Sequence, residues 1–360
     1  MRRSRPRRLT HRRAHTHAPK CLTTHGRHRA RQIKDLPPRA NLYPIEALQQ
    51  KRRLNGHIRK VQGMSWGADS RSLIASDQGS KTIIWDLASD RVPMKRKVIS
   101  RPFIIAVAMH PTRDLVAIGG MDNVVSVWST DGDGAECSMT RQLEQHDGYI
   151  SSLHFPDESQ MLSAGGDAEA ALWDVATWKA KQVFRGHEGD CSCIRFPAGV
   201  PGSQAFCTSS SDGTARVWDM RSGECTHKFD VVGECNGCAF FPSGTAVAAG
   251  TQNGSVFLFD LRAQAALQKY SRKNNHVTAV DFSQSGRTMY VAYEDGHVCL
   301  WDPLASSESG YAKKVAAHVK NQNHDSRMRV ISCMQMSPDG TCLATGAFDA
   351  TICLWGPGKS

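Results

Sequence analysis

The chain repeats one short pattern seven times, an apolar run that ends in an aromatic residue and in most repeats is followed by aspartate. The aromatic residues stand at intervals of 41 to 54 positions and are Trp85, Trp128, Trp173, Trp218, Phe259, Trp301 and Trp355. A period near 40–45 residues with a terminal Trp-Asp is typical of WD repeats. Because a single four-stranded blade cannot bury its apolar faces alone, the pattern predicts an all-β, seven-bladed WD40 propeller.

The predicted domain organisation has three parts. Residues 1–40 contain thirteen Lys/Arg and one acid, Asp35, with few large apolar side chains, which predicts a disordered basic tail. Residues 41–56 lead into the first repeat, and we expect a strand near 42–54 to complete the last blade and close the ring. Residues 57–356 form the propeller. The tail carries the whole net charge of +11, so nothing assigns nucleic-acid binding to the propeller itself.

Composition limits the compartment and the chemistry. No apolar run approaches the ~20 residues of a membrane span, and the N-terminus lacks the apolar core of a secretory signal. We therefore expect a cytoplasmic protein with reduced cysteines. We also expect that partners or the basic tail bring this protein to the inner face of the plasma membrane. Cys235 and Cys238 have zinc-like spacing, but strand residues three apart point to opposite faces. We predict no metal, no cofactor and no small-molecule substrate.

A recurring polar set accompanies the aromatic residues: a histidine that opens the repeat, a Ser or Thr ten positions before the aromatic, and an aspartate six before it. In such blades the indole donates to the hydroxyl, which bonds the histidine, which bonds the aspartate. Complete sets are predicted in blades three, four and seven, with His318 or His324 opening blade seven. Their members are His146, Ser163, Asp167, Trp173, His187, Thr208, Asp212, Trp218, Thr345, Asp349 and Trp355.

The same repetition decides between two interpretations of these Ser, His and Asp residues. A hydrolase triad would occur once, whereas this set returns at a fixed distance from Trp, so we predict a structural role and no enzyme. Blade one has Ala75 and Gly79 at the two inner positions, and blades two and five also lack members. We expect these three blades to be looser by roughly 1–3 kcal/mol each.

The loop that enters the first strand of a blade and the turn that holds the aspartate lie at the same rim. The residues at these two positions should converge around the opening of the ring. Blades two, three and seven offer Phe103, Ile105, Met121, Tyr149 and Phe348, with Lys60 from blade one, whereas blades four to six offer Asp190, Glu234 and Glu294. Apolar anchors beside charges that set orientation are typical of a protein interface.

Several segments resemble the beta subunits of heterotrimeric G proteins. They are RRLNGHIRK at Arg52–Lys60, TIIWD at Thr82–Asp86, GGMDN at Gly119–Asn123, GHEGD at Gly186–Asp190 and LFDLRA at Leu258–Ala263. The last is the most specific, because that family also has Phe in place of Trp in its fifth blade. The resemblance extends from Arg52 to Trp355. It implies a non-enzymatic scaffold that holds a gamma subunit, docks a GDP-loaded alpha subunit and binds effectors through the same face.

Only some of the residues through which this family contacts alpha subunits and effectors are present at the corresponding positions of this chain. Five match and are Lys60, Lys81, Asn123, Tyr149 and Asp190. Others are replaced, which keeps apolar character but changes bulk and charge: Gln62, Phe103, Ile105, Met121, Ser192, Gln252 and Phe348. Binding of the family's alpha subunit is therefore implied, while its identity stays open.

Residues 1–40 depart from the family. Its members begin with a helix whose heptads coil with gamma, but these residues show no heptads and contain four prolines. Either they are not the genuine N-terminus, or this beta subunit lacks the usual gamma clasp. The tail itself has three readings: a solvated extension, a lipid or nucleic-acid contact, or a transit peptide. The alternative function is a general WD40 scaffold in an RNA- or chromatin-associated complex.

Overall fold

A computed structural model describes residues 48–79, 81–87, 94–100, 103–131, 137–197, 199–200, 202–272, 274–304, 311–318 and 329–357, with backbone alone for 94–100 and 311–313. The predicted disordered tail and His324 lie outside the described residues. In the described part every regular element is a β-strand, and it contains no helix with the length and apolarity that a membrane crossing requires.

In the described part of the chain, twenty-eight strands form seven four-stranded antiparallel sheets, and the first three blades follow each other along the sequence. After an initial strand β1 (Leu48–Asn55), blade one consists of β2 (Val61–Trp66), β3 (Ser72–Asp77), β4 (Lys81–Asp86) and β5 (Met94–Ser100). Blade two consists of β6 (Ile104–Met109), β7 (Leu115–Gly120), β8 (Val124–Ser129) and β9 (Ser138–Glu144). Blade three consists of β10 (Ile150–His154), β11 (Gln160–Gly165), β12 (Ala170–Asp174) and β13 (Lys179–Phe184).

The remaining blades repeat this order. Blade four consists of β14 (Cys191–Arg195), β15 (Ala205–Ser210), β16 (Thr214–Asp219) and β17 (Cys225–Asp230). Blade five consists of β18 (Cys235–Phe240), β19 (Ala246–Thr251), β20 (Ser255–Asp260) and β21 (Ala265–Ser271). Blade six consists of β22 (Val277–Phe282), β23 (Met289–Tyr293), β24 (His297–Trp301) and β25 (Tyr311–Ala316). Blade seven contains β26 (Ile331–Met336), β27 (Leu343–Ala347) and β28 (Thr351–Pro357), with β1 as its fourth strand. The predicted all-β, seven-bladed propeller is confirmed.

The hydrophobic core lies between blades. One cluster joins Leu162 and Leu172 of blade three to Ile194, Phe206 and Trp218 of blade four. The second and third strands are therefore apolar on both faces, as in β19, where all six residues are buried. The outermost strands face solvent, and β21 buries one residue of seven. This gradient explains why the sequence shows short apolar runs separated by polar ones.

The ring is closed by pairing the start of the described chain with its end. Strand β1 lies antiparallel to β28, from Leu48 opposite Pro357 to Asn55 opposite Thr351. An ion pair between Arg53 and Asp349, 3.1 Å apart, adds to this seam. The first strand of each blade is innermost, and each contacts the first strand of the next blade, including β26 with β2. These seven strands surround a central channel.

Candidate functional site

One backbone hydrogen bond is repeated at the same end of all seven blades. The N–H of the residue that follows the second strand donates to the C=O of the residue that precedes the first strand, at 2.8 to 3.2 Å. The donor–acceptor pairs are Gln78–Lys60, Met121–Phe103, Gly166–Tyr149, Ser211–Asp190, Gln252–Glu234, Glu294–His276 and Phe348–Val330. Since the first strands surround one axis, these fourteen residues form a continuous ring, which we call the upper rim.

The upper rim brings together nine of the residues that the sequence singled out as partner contacts. They are Lys60, Phe103, Met121, Tyr149, Asp190, Glu234, Gln252, Glu294 and Phe348. His276 and Val330 also belong to the rim but were missed. Blade six places its histidine directly before the first strand, so counting three residues onward from that histidine passes over the rim position.

Two further predicted residues lie in the turns beside the rim. Lys81 begins the third strand of blade one, and its Nζ donates to the carbonyl of Gly56 at 2.9 Å. Asn123 adopts a φ of 61°, and its Nδ2 donates to the carbonyl of Asp147 at 3.0 Å, which links blade two to blade three. Asparagine is one of the few residues that tolerate this left-handed backbone.

The last three predicted contacts lie inside the ring. Gln62, Ile105 and Ser192 each occupy the second position of a first strand and line the central channel. The corresponding residues of the other four blades are Ser151, Asn236, Thr278 and Ser332. Ile105 is therefore the only apolar member of an otherwise polar ring at the mouth of the channel.

Side-chain contacts join rim residues of neighbouring blades. The Nζ of Lys60 stands 4.4 Å from the centre of the Phe348 ring, a cation–π contact between blades one and seven. The hydroxyl of Tyr149 donates to the Asp190 carboxylate at 2.9 Å, between blades three and four. Burial and the nearby Asp190 charge raise the pKa of Tyr149 to about 12, so the phenol stays a neutral donor. These contacts orient four of the predicted anchors.

Large apolar side chains are exposed at the same end of the propeller. Phe103 and Met121, paired through the backbone in blade two, are 56% and 58% exposed. Ile58 and Val232, in the loops that enter blades one and five, are also exposed and were missed by the sequence analysis. Phe103 has a φ of 56°, a conformation that costs a bulky residue roughly 1–3 kcal/mol. Exposed apolar groups on one face are typical of a protein-binding surface.

Acidic residues occupy the opposite sector of the rim. Glu234 and, in the loops entering blades three and four, Asp147 and Glu188 are exposed. The Glu294 carboxylate of blade six lies 3.2 Å from Nδ1 of His276. The positive groups Arg59, Lys60 and Lys81 belong to blade one. The rim thus has a cationic and apolar sector and an acidic sector, which would set the orientation of a docked protein.

The polar network forms in blades three, four and seven. The three hydrogen bonds in each blade are 2.7 to 3.1 Å long. In blade three, Trp173 donates to the Ser163 hydroxyl, Ser163 bonds His146, and His146 donates to Asp167. His187, Thr208, Asp212 and Trp218 repeat this arrangement in blade four, and His318, Thr345, Asp349 and Trp355 repeat it in blade seven. His318, not His324, therefore opens the last repeat.

Blade one differs from the expectation that both its inner positions lack polar groups. Asp77, two residues before Gly79, accepts from His57 at 3.1 Å and from the backbone N–H groups of Gly79 and Lys81. It thereby replaces the aspartate of the complete blades. Ala75 supplies no hydroxyl, and Nε2 of His57 has no hydrogen-bond partner among the described residues. In blade two, Trp128 donates to Ser126 instead, at 3.0 Å.

The histidine networks and the two cysteines with zinc-like spacing are buried. Ser163 and Thr208 have no exposed surface, and each accepts a hydrogen bond from a Trp indole. Cys235 and Cys238 are buried as well, and burial raises the pKa of both thiols. Among the described residues, no group of three or more His, Cys, Asp or Glu side chains is arranged to hold a metal ion.

The fold and the rim define this chain as a WD-repeat β-propeller with a surface suited to binding another protein. Comparison with known protein families identifies the family of WD-repeat propellers to which the chain belongs. The model of the family described as G protein beta WD-40 repeat protein matches residues 38–356. The chain belongs to the G protein beta WD40 family, whose members are in general non-enzymatic scaffolds.

Curated relatives agree with this assignment. Guanine nucleotide-binding protein subunit beta-1 of Nicotiana tabacum is 32% identical over 323 residues, covering 84% of this chain and 82% of its own length. The beta subunit of Zea mays is 31% identical, with the same coverage of both chains. The beta subunit of Saccharomyces cerevisiae is 27% identical over 349 residues, covering 85% of this chain and 79% of its own.

Proposed function

We propose that this protein is a non-catalytic signalling scaffold that binds a GDP-loaded alpha subunit, and effectors in its place, through the upper rim. The observation that supports this most directly is the repeated backbone hydrogen bond. It places Lys60, Phe348, Tyr149 and Asp190 on one surface, in two contacting pairs. Membership of the G protein beta family supplies the class of partner.

The chemistry of the rim fits such a partner. Phe103 and Met121 offer apolar anchors that are more than half exposed, and anchors of this kind carry most of the binding energy of an interface. Lys60 and Asp190 stand on different sectors of the rim, so they would engage opposite charges of the partner and set its orientation. We propose that the protein acts in the cytoplasm and reaches the inner face of the plasma membrane through its partners.

Capture by an alpha subunit tests the proposal. The purified chain is immobilised and exposed to an alpha subunit loaded with GDP. We expect Lys60→Ala combined with Asp190→Ala to weaken capture by about 100-fold or more, because both side chains would be central contacts. The matched control is Lys228→Ala with Asp230→Ala, an exposed ion pair of 3.5 Å on the outer strand of blade four.

The control pair should leave capture unchanged. If the Lys60 and Asp190 double variant captures the alpha subunit as well as the wild-type chain does, the rim is not the docking surface. Adding a gamma subunit to the same assay decides whether residues 1–40 lack a gamma clasp, since a beta subunit without the clasp would not retain it.

The tail composition supports a second candidate function. Thirteen basic residues among the first forty would attract RNA or chromatin electrostatically. As a general scaffold of that kind, the chain would lose its nucleic-acid binding when residues 1–40 are deleted, whereas capture of an alpha subunit through the rim would persist.

A further inference from the structure

The central channel contains a charged group that the rim does not use. The channel holds a cavity of about 230 Å³, lined by the first strands of all seven blades. Most of its lining side chains are small, neutral or apolar. Arg195, the last residue of β14, is the only charged side chain among the described residues that line this cavity.

The Arg195 guanidinium is incompletely bonded. One Nη donates to the carbonyl of Ile194 at 2.9 Å. Its Nε is buried and has no hydrogen-bond partner among the described residues. A buried donor without an acceptor costs free energy, and a guanidinium presents a planar fork that suits two oxygens of one oxyanion. Arg195 therefore lines the channel with hydrogen-bonding capacity that its described contacts do not use.

Asp281 and Arg195 attract each other electrostatically, but the Asp281 carboxylate is also held by backbone donors. Asp281, at the matching position of blade six, accepts from the backbone N–H groups of Met336 at 2.7 Å and Phe282 at 2.8 Å. His154 stacks on Phe196. Burial, with a smaller contribution from the Arg195 charge, lowers the pKa of His154 to about 4, so this histidine is neutral at neutral pH. Cys193, Cys238 and Cys333 line the same cavity. A hydrogen bond with Cys238, followed by burial, raises the pKa of the Cys193 thiol, and burial raises the pKa values of the Cys238 and Cys333 thiols.

The size and polarity of the channel restrict what could occupy it. Sites for drug-sized ligands are roughly 300–1,000 Å³, so this cavity suits a smaller molecule. The polar ring at the mouth includes Thr278, whose hydroxyl has no hydrogen-bond partner among the described residues. Successive strand residues rise about 3.3 Å, so an entering anion would pass these hydroxyl and amide groups before it reaches Arg195.

We propose that the central channel binds a compact oxyanion, a phosphoryl or carboxylate group, on Arg195. The low-dielectric walls of the channel strengthen this attraction relative to water. Arg195 is not one of the predicted partner contacts, but Gln62, Ile105 and Ser192 at the channel mouth are, so the site is tested on the chain without an alpha subunit.

Titration calorimetry on the full-length chain tests the site, with inorganic phosphate in one arm, acetate in a second and chloride as the comparison. We expect saturable binding of an oxyanion to the wild-type chain. Arg195→Gln should weaken it by about tenfold or more, since it removes a charged hydrogen-bond donor. Lys228→Gln, which removes the same charge from the outer strand of blade four, should not. All variants keep the basic tail, so its contribution cancels.

A second variant keeps the test decisive should Arg195→Gln fail to fold. Thr278→Trp removes no described hydrogen bond but fills the channel mouth, and we expect it to abolish the same binding. The arm that saturates, phosphate or acetate, identifies the oxyanion class. Saturable binding that persists in both channel variants, or no saturable binding to the wild-type chain, would overturn the proposal.

Discussion

Blades four and one show how far a blade can depart from the polar network and still form. In blade four, Thr208 bonds both His187 and Trp218, and His187 is held by Asp212. In blade one, Ala75 replaces the hydroxyl, while Asp77 supplies the carboxylate from two residues earlier than expected. Both blades have four strands in the same order. The difference indicates that packing between blades defines the fold, and that the network adds stability where it is complete.

The largest effect should come from breaking the network in blade four. Thr208→Val removes the hydroxyl and leaves buried nitrogen atoms of His187 and Trp218 without their partner. We expect a loss of roughly 2 to 5 kcal/mol in the free energy of unfolding, since each such group costs about 1–3 kcal/mol. Denaturant unfolding measures it.

Blade one provides the matched control. Thr82 is as completely buried as Thr208, but its hydroxyl has no hydrogen-bond partner among the described residues. Thr82→Val should therefore be neutral or slightly stabilising. Equal losses for the two variants would mean that the hydrogen bonds of the network contribute nothing beyond the shape of the side chain.

An intermediate effect should appear as a pH dependence that differs between two complete blades. In blade seven, burial opposes the charged form of His318, but the interactions with Asp349 and Cys353 together outweigh burial and raise the histidine pKa to about 9. In blade four, burial prevails over the hydrogen bond with Asp212 and lowers the pKa of His187. The two histidines should therefore respond to pH in opposite directions.

Histidine-to-glutamine variants make this measurable. His318, whose pKa is raised in the folded state, stabilises the protein fully at pH values below its unfolded pKa of about 6.5. This contribution is lost as the pH rises through about 9. His187, whose pKa is lowered in the folded state, stabilises the protein at pH values above about 6.5, and this contribution is lost on acidification. The unfolding midpoint of His318→Gln should approach that of the wild-type chain at alkaline pH, and that of His187→Gln should approach it in acid. If the unfolding midpoints of the two variants changed with pH in the same way, the opposite pKa shifts of His318 and His187 would be contradicted.

The smallest effect should come from completing blade one. Ala75→Ser would place a hydroxyl opposite Nε2 of His57, as Ser163 stands 2.7 Å from His146. We expect a gain of about 1 kcal/mol in stability. Ala344→Ser, at an equally buried alanine of blade seven whose histidine already has a partner, should destabilise instead. A loss of stability for Ala75→Ser would show that Asp77 has changed the geometry of blade one.

The regularity of the repeat decides what the sequence can predict. The spacing of the Trp residues and of Phe259 predicts the seven blades, because every blade repeats the same order of four short strands. The role of Asp77 could not be predicted by counting six residues back from Trp85, because this count assumes the same turn in every blade. Asp77 lies two residues earlier than the counted position and still contacts His57. Counting also leaves His318 and His324 as alternatives, and hydrogen bonds to Asp349 and Thr345 identify His318.

The channel could not be predicted in the same way. Arg195 ends an ordinary-looking strand, and nothing in its spacing distinguishes it from an exposed arginine. Its role depends on seven first strands, hundreds of residues apart in sequence, which meet around one axis. Gln62, Ile105 and Ser192 illustrate the same limit, since the position next to the rim faces inward only after the ring has closed.

The pairing of β1 with β28 has a consequence for synthesis. The two partners of the seam include Arg53 and Asp349, which are 296 residues apart in the chain. During translation, β1 emerges long before its partner exists, so a nascent chain holds an unpaired, basic edge strand until β28 leaves the ribosome. Unpaired edges promote aggregation. A premature stop that removes β28 alone would therefore leave β1 and β27 without the strand that joins them, although the other six blades had already been synthesised.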